Sequence, residues 1–261
     1  MSFANQVAII TGASSGIGWE LAKVLAEQHC TVGVVARRKD RLDALVQEIQ
    51  AAGGKAACAP ADVSDRKQTV DAIHALRDQL GPVDLLIANS GVGVPTTLEP
   101  LNIDEVETMF KVNTLGVVYA IEAVLPEMLQ RGKGHLAAIS SMASYLPMPG
   151  ESGYCASKAA VNVYMKGLRM QLRGRGVHVT TVCPGFIATP MTDVNTFDMP
   201  WLLSARTAAE KIIRALARKK TVYNFPWQMN VLMTLAQWTP EWILHRVLEG
   251  KAGKRLDAPA G

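Results

Sequence analysis

Six short stretches, 6–10, 31–35, 55–59, 84–87, 134–140 and 177–183, are apolar almost without interruption, where a half-exposed strand would alternate apolar with polar residues. Strands that read this way are buried on both faces, and only a sheet covered by helices on each side offers such a place. Longer amphipathic patterns fall between them, at 18–28, 40–51, 65–79, 103–130 and 151–173. Strand–helix alternation of this length implies right-handed crossovers and one doubly wound parallel sheet of the α/β class. In such sheets ligands bind beyond the carboxyl ends of the strands, so the residues just after each strand carry the most information.

The chain has 261 residues, 49% of them hydrophobic and 19% charged, which suits a packed globule and excludes wholesale disorder. No low-complexity tract or Pro/Gly/Ser linker divides it, and we expect a single domain. Its larger part spans 1–223, including a loop at 186–206, and a helical, Trp-rich extension of the same domain follows at 224–261. The net charge of +4 is mild, and the basic residues fall in scattered groups at 37–41, 169–175, 214–220 and 251–255. That is not the clustered footprint of a nucleic-acid binder. Cys30, Cys58, Cys155 and Cys183 form no CxxC pair and the histidines are dispersed, pointing to a reduced, cytoplasmic protein without a metal. The chain reaches the strand-like Val7-Ala8-Ile9-Ile10 almost at once, which argues against a secretory signal.

Directly after the first strand comes Thr11-Gly12-Ala13-Ser14-Ser15-Gly16-Ile17-Gly18, leading into a helix. Glycines here let the chain turn sharply and bring backbone N–H groups to a pyrophosphate at the helix N-terminus; a tight turn without a ligand is the plain alternative. The second strand ends at Val35-Ala36-Arg37-Arg38. An acidic residue at this tip would hold the ribose hydroxyls of NAD, whereas an arginine offers a charge-assisted partner to the 2′-phosphate of NADP. Ser14 can add a hydrogen bond, so NADP(H) is favoured over NAD(H), with Arg37 the leading partner and Arg38 equally readable as the start of an exposed helix. Asp62-Val63 after the third strand would meet adenine, and Asn89-Ser90-Gly91 after the fourth would face the middle of the cofactor.

Tyr154 and Lys158 are four residues apart in a helical pattern, which puts them on one face. An ammonium beside a phenol favours the phenolate and would bring its pKa down towards working pH. An ordinary surface Tyr/Lys pair shares that spacing. Ser140-Ser141, at the end of the fifth strand, can donate to a substrate carbonyl oxygen. Pro184-Gly185, Ile187 and Thr189, after the sixth, can hold the nicotinamide carboxamide. Asn113 is a polar amide within the long helical stretch, where a water bound to it could relay protons towards Lys158.

Thr11-Gly12-xxx-Gly16-x-Gly18, Asp62, Asn89-x-Gly91, Asn113, Ser141, Tyr154-xxx-Lys158 and Pro184-Gly185 together resemble the short-chain dehydrogenase/reductase family, in its single-domain branch, over roughly residues 5–220. The resemblance implies a Rossmann-type sheet and a Ser141–Tyr154–Lys158–Asn113 tetrad with Tyr154 as general acid/base. It also implies that Lys158 binds the nicotinamide ribose and that Ser141, not Ser140, contacts substrate. The Ala36-Arg37 ending resembles the NADP(H)-preferring members. Two features depart from the pattern. The usual Asn-Asn-Ala-Gly turn is Ala88-Asn89-Ser90-Gly91, and the usual seventh strand and short tail are replaced by Thr221-Val222-Tyr223-Asn224-Phe225-Pro226 and a Trp-rich run. The second departure bears on the tetramer built around that strand, so homodimer and homotetramer both stand as expectations.

Met191, Val194, Phe197, Met199, Trp201 and Leu202 lie on the loop that covers substrate in the family, and Val92, Val94, Met142, Tyr145, Leu146 and Met148 sit on the other rims. With no Arg or Lys to clamp an anion there, we expect a hydrophobic ketone or secondary alcohol, lipid, steroid-like or aromatic; packing of these residues among themselves is the alternative. Trp227, Trp238 and Trp242 lie in a stretch interrupted by Gln237, Thr239, Pro240 and Glu241, too broken to span a bilayer. It reads as a surface for a membrane interface, a partner subunit or the substrate pocket. A non-catalytic dinucleotide sensor would leave a tetrad position free to vary, and a two-domain epimerase would need more chain than remains.

Overall fold

The computed structural model of the protein describes residues 3–195, 197–244 and 246. Its first half runs β1 (Val7–Thr11), α1 (Gly16–Glu27), β2 (Thr31–Ala36), α2 (Lys39–Ala51), β3 (Lys55–Pro60), α3 (Arg66–Leu80), β4 (Leu85–Ala88), α4 (Ile103–Phe110) and α5 (Gly116–Arg131). Then follow β5 (Gly134–Ile139), α6 (Ser152–Gln171), β6 (Val177–Pro184), β7 (Ile187–Ala188), β8 (Leu203–Ser204), α7 (Ala205–Ala217), β9 (Val222–Phe225) and α8 (Trp227–Ala236). Seven strands form one parallel sheet in the order β3-β2-β1-β4-β5-β6-β9.

The apolar strands earn their composition from this arrangement, because successive side chains point to opposite faces and both faces are covered. In β1, Ala8 and Ile10 pack with Leu21 and Leu25 of α1, Leu42 and Leu45 of α2, and Ile212 and Leu216 of α7. Ile9 points the other way, to Ile73 and Leu76 of α3, Ile121 and Val124 of α5, and Val161 and Met165 of α6. The strand order reverses between β1 and β4, which opens a crevice at their carboxyl ends.

Two elements differ from the sequence reading. The chain does close its sheet with a seventh strand, β9, paired with β6 from Thr181↔Val222 to Pro184↔Phe225. It escapes detection because an edge strand buried on one side need not be continuously apolar: Phe225 is buried, Tyr223 and Asn224 are partly so, and Val222 is exposed. The helical extension therefore starts at Trp227, and its basic group at 251–255 lies outside the described residues. The helix read as continuous over 103–130 is α4 and α5 joined by a π-helical stretch, Lys111–Leu115, with Asn113 at its centre. This combined helix is long and apolar enough to cross a membrane, but half of its apolar window is buried in the protein, where α5 packs on α3, β4 and β5.

Gly18 shows how tightly the first turn of α1 meets the loop before it. A Cβ there would strike the carbonyl of Gly12 and come within 2.6 Å of Asn89 Nδ2. Overpacking of this kind costs about 1–3 kcal/mol, so Gly18→Ala is expected to lower the urea midpoint by that equivalent without changing the slope of the transition.

Candidate active site

One cleft of about 300 Å³ follows the carboxyl edge of the sheet. Its walls include Gly12, Ser14, Ser15, Gly16, Ile17, Arg37, Arg38, Asp62, Val63, Asn89, Ser90, Gly91, Ser141, Tyr154, Lys158, Pro184, Gly185, Ile187 and Thr189. All the catalytic and cofactor-binding residues named from sequence except Gly18 and Asn113 thus line a single cavity. Gly18 packs beneath the loop, and Asn113 is fully buried behind the wall.

At one end, Gly12 takes φ +68° and presses on Ser90, leaving 2.7 Å between a hypothetical Cβ and Ser90 Cα. Only glycine tolerates that conformation at so close an approach. No side chain caps the first turn of α1 and none of its residues there is acidic, so its N–H groups and positive dipole end face the cleft. Asn89 is occupied with the loop itself: Nδ2 donates to the carbonyls of Thr11 (3.0 Å) and Gly12 (3.2 Å). It braces the turn while also lining the cleft wall. Asp62 Oδ1 accepts from the Ser64 amide (2.9 Å) and hydroxyl (2.8 Å), while Oδ2 lies 3.8 Å from Arg37 Nη1.

The two arginines at the mouth of the cleft are placed differently. Arg38, read from sequence as the more dispensable of the two, sends Nη2 to Ser14 Oγ and Ser15 Oγ, both at 2.9 Å. Arg37 is exposed at the rim, with only its long contact to Asp62. The sequence could not rank neighbouring arginines, because the backbone turn after β2 decides which one folds back over the loop.

At the other end, Ser141 precedes a 3₁₀ turn at Met142–Ser144; its hydroxyl accepts from the Ala143 amide (3.1 Å), and the residue lines the same cleft as Tyr154. Tyr154 and Lys158 stand one turn apart on α6. The Lys158 ammonium donates to the Ile139 carbonyl (3.0 Å), and the Ser140 hydroxyl donates to the Lys158 carbonyl (3.0 Å). Lys158 is 3% exposed, close enough to Gly91 that a Cβ there would lie 3.2 Å from Nζ.

Asn113 is the buried link among these pieces. Its Oδ1 accepts from the Val92 amide (2.8 Å), and its Nδ2 donates to the Val92 carbonyl (2.9 Å) and the Ser157 hydroxyl (2.9 Å). The side chain is thus engaged by protein groups, not held open for the water expected from sequence. Ser157, which carried no sequence signal, joins it to α6.

Electrostatics run against one expectation. Burial pushes the Tyr154 phenol up to about 12, instead of the lowering anticipated from Lys158. The ammonium sits 6.0 Å from the phenol ring centroid and is directed at Ile139, so its field does not offset desolvation. Burial likewise pulls Lys158 down to about 8.

Of the rim residues, Met191, Val194, Trp201 and Leu202 are exposed. Phe186 and Phe197 instead pack edge-to-face on each other at 5.8 Å, and Met142 is buried in a small cluster with Cys183 and Met229.

Residues 6–199 match the profile of short chain dehydrogenases. The chain belongs to this family. It is 38% identical over 235 residues to an uncharacterized oxidoreductase of Myxococcus xanthus, covering 90% of this chain and 93% of that one. Among solved structures it is similar to a short-chain dehydrogenase/reductase of Burkholderia phymatum in complex with NAD (TM-score 0.84, 25% identity, 90% of this chain and 94% of that one). It is also similar to an actinorhodin polyketide ketoreductase with NADPH (TM-score 0.77, 27% identity, 84% and 95%). The protein is therefore an oxidoreductase of the short-chain type, acting on CH–OH or C=O groups with NAD(P). The glycine loop, the open α1 terminus and the Arg38–Ser14–Ser15 cluster suit a dinucleotide.

Tyr154 and Lys158 set the expected pH response. Below about 8, Lys158 is an ammonium and Tyr154 a neutral phenol, a state able to donate a proton. kcat/KM for ketone reduction is expected to stay level from pH 6 to 7.5 and to fall above 8 as Lys158 loses its charge, read from a pH–rate profile of the free enzyme.

Proposed function

We propose that the protein is an NADP(H)-preferring reductase or dehydrogenase of hydrophobic ketones and secondary alcohols. The observation that carries this reading is the placement of Ser141, Tyr154 and a buried Lys158 in one cleft, at the opposite end from the arginine-lined glycine loop. When bound, the nicotinamide supplies the hydride in reduction and takes it in oxidation. Ser141 donates to the substrate oxygen and fixes its position. Tyr154 gives that oxygen a proton in reduction and removes one in oxidation. Lys158 holds positive charge near the phenol and contacts the nicotinamide ribose, while Asn113 keeps the 89–92 turn and α6 in register. Gly12, Gly16, Ser14 and Ser15 receive the phosphates, Asp62 and Val63 the adenine end, and Pro184, Gly185, Ile187 and Thr189 the carboxamide.

The preference for NADP(H) is supported by Arg38 on the two loop serines and by the absence of an acidic residue at the tip of β2. A charge-assisted contact to the 2′-phosphate contributes about 1.5–3 kcal/mol, so Arg38→Ala is expected to raise the KM for NADPH about 10- to 100-fold and leave that for NADH nearly unchanged. The apolar rim and the lack of Arg or Lys across 186–205 support a hydrophobic substrate. A screen of apolar and small charged ketones with NADPH and NADH, run beside Tyr154→Phe, tests the whole reading. Turnover of apolar ketones that drops at least about a hundredfold in the variant is expected, in line with the loss of a general acid. Full activity in Tyr154→Phe, or turnover of charged ketones alone, would contradict it.

We take the protein to work in the cytoplasm as a homo-oligomer, a reading supported by the exposed Val163 and Met170 on α6. A second reading rests on a separate observation. Trp227, Val231 and Leu235 are spaced by four residues as an exposed apolar stripe on α8, and the exposed Trp238 and Trp242 follow beyond its end. Such a stripe suits peripheral contact with a membrane surface. Sedimentation with anionic liposomes is expected to pull down the wild type but not Trp238→Ser/Trp242→Ser; equal recovery of both in the supernatant removes the membrane reading.

A further inference from the structure

Asn162 stands one turn beyond Lys158 on α6, so it continues the line begun by Tyr154 and Lys158. Its Nδ2 donates to the Ser144 hydroxyl (2.6 Å), which donates to the carbonyl of Ser141 (2.5 Å). Its Oδ1 accepts from the Cys183 thiol at 3.7 Å. Cys183 in turn lies 3.5 Å from the Tyr145 hydroxyl, which donates to Asn224 Oδ1 of β9 (3.2 Å). Asn224 Nδ2 donates to Asn230 Oδ1 of α8 (2.6 Å). The same elements also meet through apolar contact: Met229 of α8 packs with Met142 and Cys183, and Tyr145 and Phe186 lie against them.

We propose that Tyr145, Asn162, Asn224 and Asn230 are positioning residues for Ser141, and that α8 thereby forms part of the support of the reacting centre. The inference rests on the reading of Ser141 given above. The Ser141 turn is held at Ser144 and Tyr145 by bonds that lead away from the cofactor cleft, and the chain of bonds ends on a helix outside the catalytic sheet. A hydroxyl held by its own short turn alone is free to shift with that turn. One whose turn is tied to α6, β6, β9 and α8 keeps its direction when substrate enters. The terminal helix thus contributes to rate without touching substrate.

The full-length protein tests this through kcat and KM for an apolar ketone, with NADPH affinity followed by nicotinamide fluorescence. Tyr145→Phe and Asn230→Leu are each expected to lower kcat about 5- to 30-fold, the loss for one partly buried hydrogen bond, with NADPH affinity held within about twofold. Asn230→Asp retains the acceptor and is expected to keep kcat near wild type. In a Ser141→Ala background, where the residual rate is read at high enzyme concentration, Tyr145→Phe is expected to cause no further loss, because both changes disable one unit. An unchanged kcat in Tyr145→Phe, an equal loss in both backgrounds, or Asn230→Asp as damaging as Asn230→Leu would overturn the proposal. If Asn230→Leu does not fold, the Tyr145–Ser141 cycle decides alone. A fully active Ser141→Ala would remove the underlying reading as well, whereas an impaired Ser141→Ala beside a wild-type Tyr145→Phe removes only the support.

Discussion

The site depends on where the Lys158 ammonium is held. It lies under Gly91 and donates to the carbonyl that ends β5, while Ser140, the next residue, donates back to the carbonyl of Lys158. These two bonds fix α6 against the sheet edge and so set the height at which Tyr154 meets Ser141. A shift of the lysine from its ordinary value to about 8 corresponds to a cost on the order of 3 kcal/mol for keeping the charge buried at neutral pH. The sign follows from the depressed value: the cost applies below about 8 and fades as pH rises towards the unfolded value of 10.5. Structure is being held at some expense for a charge that packing alone does not require, and this is the pattern of a functional site.

The π-helical stretch around Asn113 has the same logic. A regular helix through 111–115 would continue the apolar stripe and leave a buried amide without partners. The wider turn lets that amide pair both ways with Val92 and reach Ser157. The 89–92 turn and α6 are thereby joined behind the cleft, so the wall that receives the cofactor and the helix that carries Tyr154 move as one body. Irregular helix geometry at a functional position is expected when the alternative is an unsatisfied polar group.

Much of this was legible in the sequence because its causes are local. Continuous apolar runs betray strands covered on both faces, glycine spacing betrays a phosphate turn, and a four-residue interval puts Tyr154 and Lys158 side by side. What was not legible depends on tertiary direction. Arg37 and Arg38 are chemically alike, and only the path of the chain after β2 turns Arg38 towards Ser14. Asn89 is polar and well placed to face a ligand, yet it braces Thr11 and Gly12. The Tyr154 phenol was expected to be lowered by its lysine neighbour, but the ammonium points at Ile139 and burial dominates. β9 was hidden for a different reason: an edge strand with an asparagine in it lacks the pattern of a buried one.

Lys158 is a buried ammonium tied to the end of β5, with its pKa pulled down by burial. Reductive methylation with ¹³C-labelled formaldehyde would perturb so enclosed a group, so the direct test is a ¹³Cε-lysine NMR titration of the cofactor-free protein. One lysine resonance, absent from Lys158→Arg, should titrate near 8. If every lysine, Lys158 included, titrates above 10, the ammonium is solvated and this account of the site is wrong.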